Sequence, residues 1–161
     1  MSHTTQRDIR SLALQVLYQL DARDGEASGA VDLADPAGQI DAEARDKAQS
    51  LARGAYAMRE RADALTGELA PGWPATRQPA VDRALLRLAY YEMASGVTPP
   101  KIAINEAVEL AKTYSTDKSA AFINGVLDKM MRRLEDAGPI DEPPAAKSTG
   151  DAWLDDAIEN H

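Results

Sequence analysis

The side chains that most often do chemistry at neutral pH are nearly absent from this chain. Its two histidines, His3 and His161, stand at the two ends, and there is no cysteine. General-base catalysis by an interior imidazole, attack by a thiolate and a structural zinc site therefore have no candidates in the body of the sequence. Neither a GxGxxG string nor a Gly-Lys-Ser/Thr string occurs, so no glycine loop is offered to phosphates. Carboxylates remain. Glu92 draws notice because it falls on the helical stripe of Val81, Leu85 and Leu88. A charge on an apolar face requires a partner, and an arginine or a helix-end N–H is the expected one. Glu106 and Glu109 lie off the stripe of Ile104, Ala107, Val108 and Ala111, and are expected to face solvent or a partner protein. The expectation is a protein that is not an enzyme and needs no cofactor or metal.

What the chain does offer is cations beside aromatic rings. Near the N-terminus, Arg7, Leu14 and Tyr18 point within a few tens of degrees of one another at helical periodicity, with Arg10 close by. This strip lies opposite the apolar stripe of Ile9, Leu12, Ala13, Val16, Leu17 and Leu20. Near residue 120 the apolar stripe is Ile123, Val126, Leu127, Met130 and Leu134, and Phe122 turns away toward Lys118, Lys129 and Arg133. Cations neutralise phosphates, and exposed rings offer flat faces to unpaired bases, so the combination suits single-stranded RNA better than duplex DNA. The same residues also suit an ordinary helical surface, with Tyr18 and Phe122 covering the edge of the core. Gly125 sits inside the last helix, where glycine costs about 1 kcal/mol relative to alanine. Close approach of a helix or a ligand accounts for it, packing being the preferred reading.

Helices must position these residues, because apolar side chains recur at helical spacing nearly everywhere and no stretch alternates with period two. The predicted helices are 5–21, a long one over 41–69, 79–94, 101–114 and 117–135. Residues 23–40 read as a loop, Pro71-Gly72-Trp73-Pro74 as a break, and Ser115-Thr116-Asp117 as an N-cap. Beyond Gly138-Pro139 the chain is rich in Pro, Ala and acids, and residues 137–161 read as an acidic tail without fixed structure. Within it, Trp153-Leu154 with Ala157-Ile158 is the one hint of an amphipathic turn. Residues 1–136 are thus expected to form a single domain.

The formal net charge of −8 is at odds with nucleic-acid binding until its distribution is read. From Glu135 to His161 there are eight acids against one base, Lys147, which leaves 18 acids and 17 bases in residues 1–134. The body is near neutral and can carry a basic patch. No run approaches a membrane span, and Met1–Arg7 lacks the pattern of a secretory signal, so a cytoplasmic location is expected.

Four strings carry a resemblance: Ala13-Leu14-Gln15-Val16-Leu17-Tyr18; Ala84-Leu85-Leu86-Arg87-Leu88-Ala89-Tyr90-Tyr91-Glu92; Ala103-Ile104-Asn105-Glu106-Ala107-Val108-Glu109-Leu110-Ala111-Lys112; and Phe122-Ile123-Asn124-Gly125-Val126-Leu127-Asp128-Lys129. In this order over residues 7–130, the chain resembles the NusB transcription antitermination family. The resemblance implies an all-α fold of about seven helices in two packed sub-bundles, three then four. It also implies pairing with NusE, a ribosomal small-subunit protein, binding to the boxA element of nascent RNA, and loading of an antitermination complex on RNA polymerase, notably in ribosomal RNA operons. The family's RNA surface carries over to Arg7, Arg10, Tyr18, Phe122, Asn124 and Lys129. A homodimer stays open, since the family includes monomers and dimers.

One departure from the family pattern matters. Where its members often begin with a dense arginine run, this chain reads Gln6-Arg7-Asp8-Ile9-Arg10. Every cation missing from a phosphate lowers the salt slope of single-strand binding by about 0.7. Weaker RNA affinity alone and greater reliance on NusE follow, with Lys118 offsetting part of the deficit. Two other readings stand beside this one: a scaffold of the same fold with little RNA affinity of its own, and the RNA-binding domain of an RNA cytosine methyltransferase working through a separate partner.

Overall fold

The computed structural model describes residues 5–23 and 40–137. The acidic tail from residue 138, the Trp153 turn, both histidines and most of the 23–40 loop lie outside that range. Six α-helices and one short 3-10 turn fill it: α1 Gln6–Ala22, α2 Ala42–Ala57, α3 Arg59–Leu69, the turn Ala75–Arg77, α4 Ala80–Ala94, α5 Pro100–Tyr114 and α6 Asp117–Ala137. No strand occurs among the described residues. Among the described residues the expected seven helices are six, three before the turn at 75–77 and three after it, and α6 runs on through Ala137.

Local chemistry explains where three of the helices begin. Thr5 caps α1 in a capping box: its side chain accepts from the Asp8 N–H (3.1 Å), and Asp8 Oδ2 accepts from the Thr5 N–H (2.9 Å). The aspartate that interrupts the cationic N-terminal run therefore starts the helix. Asp41 caps α2 through the Ala44 N–H at 2.7 Å, and Pro100 opens α5 at a position that needs no N–H. The α4–α5 turn contains Gly96 with φ +76°, a left-handed conformation that glycine adopts without a Cβ penalty.

The long helix expected over 41–69 is broken at Met58 into α2 and α3. No proline or glycine marks the break. Met58 is buried in the core, and the Arg59 guanidinium donates to the Tyr56 carbonyl at 2.9 Å while lying 4.0 Å over the Tyr56 ring. A carbonyl at the helix end thus keeps a partner through a side chain.

Helix α4 packs on all five other helices. It is buried on nearly every side, from Ala84 through Met93, so its all-round apolar sequence reflects its place at the centre. Two of its buried charged residues, Arg87 and Glu92, have ionic partners. Asp82 has only a hydroxyl on one oxygen, and its Oδ2 is buried without a hydrogen-bond partner among the described residues. Arg87 bonds Asp63 (Nη2–Oδ2 2.6 Å) and Asp21 (Nη1–Oδ1 3.0 Å), Asp82 accepts from the Ser115 hydroxyl at 2.7 Å, and Glu92 meets Arg10. Close approach of α2 is possible because position 54 is glycine: a Cβ there would run into the Tyr91 ring. No helix among the described residues is long and apolar enough to cross a membrane.

Candidate nucleic-acid interface

Helix α1 carries the N-terminal part of the candidate site. Its expected core residues Ile9, Leu12, Ala13, Val16, Leu17 and Leu20 are all buried, but so are Leu14 and Arg10, which helical phase assigned to the outer strip. The reason is tertiary. With α2 and α4 both packed on it, α1 has more than one buried face. Its outer strip reduces to Arg7, Ser11 and Tyr18, which fall within about 40° at helical periodicity. Tyr18 is 47% exposed.

Arg10 is instead the partner that Glu92 needed. Its Nε donates to both Glu92 oxygens (3.0 and 3.2 Å), and Nη2 donates to Thr98 Oγ1 at 3.2 Å. Burial pushes the Glu92 carboxyl above its ordinary range, and the Arg10 guanidinium pulls it back in part. A guanidinium so engaged is a core contact and not an outward phosphate contact.

Arg7 stays at the surface, its side chain 55% exposed, but it is held by Glu106 of α5: Nε to Oε2 at 2.9 Å and Nη2 to Oε1 at 3.2 Å. That hydrogen bonding holds the Glu106 carboxyl below the usual range and raises the Arg7 guanidinium further. Glu106, expected to face solvent or a partner, thus faces Arg7. One turn along α1, the hydroxyls of Ser11 and Tyr114 share a hydrogen bond. Tyr114, at the end of α5, is 47% exposed.

Helix α6 supplies the rest. Lys118, Asn124 and Lys129 are exposed. Phe122 is half-buried and meets Trp73 edge-to-face, with centroids 4.1 Å apart and an interplanar angle of 78°. Nothing lies within 4 Å of where a Gly125 Cβ would sit, so helix packing, the preferred reading of that glycine, does not explain it. A chain of side-chain bonds ties the end of α1 to the start of α6. Asp21, one turn beyond Tyr18, pairs with Arg83, and Arg83 also donates to the Ala75 carbonyl at 2.9 Å. That segment presents Trp73 to Phe122. The Ser115–Asp82 bond fixes the α5–α6 turn to α4 beside Lys118. Lys129 lies two turns, about 10 Å, further along α6 than Phe122.

Sequence reading missed Tyr114, Trp73 and the Arg7–Glu106 pairing. Tyr114 follows Leu110 and Ala111 at the spacing of core residues, so helical periodicity does not mark it as exposed. Trp73 stood inside a segment read only as a break. An open groove of about 1270 Å³ between α1, α2 and the start of α5 is lined by Gln6, Ile9, Arg10, Lys47, Arg53 and Ile102, with Glu43 and Asp46 among its acids. Its mixed charge specifies no single ligand.

Five helices gathered round α4, with cations and aromatic rings on the outer sides of α1, α5 and α6, define an all-α bundle with a mixed basic and aromatic surface. The chain belongs to the NusB family, whose sequence profile matches residues 7–132. It is 40% identical over 147 residues to the transcription antitermination protein NusB of Symbiobacterium thermophilum, covering 86% of this chain and 96% of the relative. The corresponding protein of Rubrobacter xylanophilus is 39% identical over 143 residues, covering 84% and 99%. Among solved structures, T. maritima NusB is 31% identical with a TM-score of 0.67, covering 81% of this chain and 93% of that one. A chain in the crystal structure of antitermination factors NusB and NusE in complex with dsRNA is 26% identical with a TM-score of 0.69, covering 80% and 97%.

Proposed function

We propose that this protein is a transcription antitermination factor that binds boxA-type single-stranded RNA together with the ribosomal protein NusE, within an RNA polymerase antitermination complex acting on ribosomal RNA operons in the cytoplasm. Its role is binding, with no catalytic step. Residues 1–136 form the binding domain and residues 137–161 an acidic extension. The observation that carries the reading is Tyr18, a ring left 47% exposed on a helix that otherwise buries most of its apolar side chains. An exposed ring with Arg7 on the same strip is the chemistry that receives an unpaired base beside a phosphate. Lys118, Phe122, Asn124 and Lys129 extend the surface along α6.

The N-terminal cations bear on how tightly RNA is held. Asp8 closes the capping box, Arg10 is buried on Glu92, and Arg7 is paired with Glu106. This supports weak RNA binding by the protein alone and reliance on NusE for the rest. The same pairs favour a second reading, a NusE-binding scaffold with little RNA affinity of its own.

Titrating labelled boxA RNA and a scrambled RNA, with and without NusE and across a salt series, separates the two. The adaptor reading expects boxA preference once NusE is present, and no preference would leave the scaffold. An RNA duplex as competitor tests the stacking proposal, which expects unpaired RNA to win. Tyr18→Ala and Phe122→Ala should each weaken RNA binding by about 1–3 kcal/mol. Wild-type affinity in both folded variants would make those rings core cover only.

A further inference from the structure

We propose that Tyr114, at the C-terminal end of α5, is a further base-stacking residue of the RNA surface, held in place by the Ser11 hydroxyl. The inference rests on the RNA-binding reading above and adds a residue to it. Tyr114, Tyr18 and Ile102 are the large apolar side chains left exposed among the described residues. Two of the three are therefore rings beside α1. Tyr114 shares a hydrogen bond with Ser11, and Ser11 lies between Arg7 and Tyr18 on the one outward strip of α1, within about 40° of both. The Tyr114 hydroxyl is thus anchored to the track that Arg7 and Tyr18 define.

The backbone beneath the ring is anchored too. Ser115, the next residue, bonds buried Asp82 of α4 at 2.7 Å. A phenol tied at its hydroxyl and at its backbone has little rotamer freedom left to lose when a base stacks on it. Exposed Lys118 follows one turn of chain later, at the start of α6, and supplies positive charge for a phosphate. Cations and a fixed, half-exposed ring favour an unpaired nucleobase over an apolar protein surface as the occupant.

The test uses the full chain with NusE and a fluorescently labelled single-stranded boxA RNA. Tyr114→Ala should lower affinity about fivefold or more, with the slope of log affinity against log salt unchanged, because every cation stays on its phosphate. Tyr114→Phe should keep most of the affinity, since the ring survives and only the tether goes, and Ser11→Ala should match it. If Tyr114→Ala binds RNA like wild type while Tyr18→Ala is weakened, the inference is wrong and the RNA-binding reading stands. If Tyr114→Ala weakens NusE binding without RNA by the same factor, the ring serves the protein partner and the inference is wrong. If the wild type shows no boxA preference even with NusE, both fall together.

Discussion

Two arginines three residues apart on α1 meet two glutamates and end in opposite roles. The Arg10–Glu92 pair is almost wholly enclosed, with side chains 9% and 2% exposed, and Thr98 adds a third bond. The Arg7–Glu106 pair is nearer the surface, its arginine side chain 55% exposed and its glutamate 16%. The exposed pair is bidentate through Nε and Nη2 of Arg7, whereas a single Arg10 N–H is shared between both Glu92 oxygens, so bond geometry does not give the buried pair its role. Solvent does. In the interior, neither charge can be left without the other, because water no longer stabilises the survivor. Nearer the surface, water and counterions screen the arginine, which can leave its partner at smaller cost than Arg10 can. The buried pair is therefore an element of the fold, joining α1 to α4. The exposed pair is a contact that an incoming phosphate can displace.

The largest test of this comparison is Arg10→Ala. It strands a buried carboxylate and should destabilise the fold by about 3–5 kcal/mol in urea unfolding. Replacing both members, Arg10→Met with Glu92→Leu, should recover much of that stability, because no uncompensated charge remains. A single variant as stable as wild type would show that solvent reaches the pair after all.

Glu106→Gln probes the other side. It should lower the melting temperature only slightly while releasing Arg7, steepening the salt dependence of RNA binding by up to about 0.7 in slope. An unchanged slope and an unchanged affinity, in a variant that still binds RNA, would mean that Arg7 meets no phosphate.

The smallest effect is in the titrations. Glu106 is held below the ordinary glutamate range by its bond from Arg7, whereas burial lifts Glu92 above it. The linkage signs are opposite. Glu106 contributes stability that is present above the ordinary pKa and lost as pH falls through its lowered value. The Glu92 contribution is present below the ordinary pKa and lost as pH rises through its raised one. Carboxyl ¹³C shifts followed against pH should place Glu106 below Glu92, and the reverse order would break the comparison.

Much of the scaffold was legible because local rules govern it. Apolar periodicity located α1, α4, α5 and α6 to within two residues at each end. Proline and glycine marked the turns at 71–74 and 95–96, and the charge split between body and tail was plain from counting. The break at Met58 was not legible, because it depends on Arg59 folding back onto Tyr56 and on Met58 entering the core. The candidate surface was half legible. Tyr18, Lys118, Asn124 and Lys129 are where helical phase puts them, exposed. Arg10 and Leu14 share that phase on α1 and are buried, since a helical wheel cannot count how many neighbours a helix has.

By itself, then, the sequence determined an all-α fold in a chain with no cysteine and with histidine only near its ends, its helices and their main apolar stripes, and the cations and rings that turn away from them. Those follow from backbone periodicity and side-chain type, which are properties of neighbours along the chain. Tertiary structure alone decided which arginine of α1 became core and which remained at the surface, and that Tyr114 lies beside Ser11. Those depend on contacts between residues about 80 to 100 positions apart, where burial sets whether a charge is held or can be exchanged.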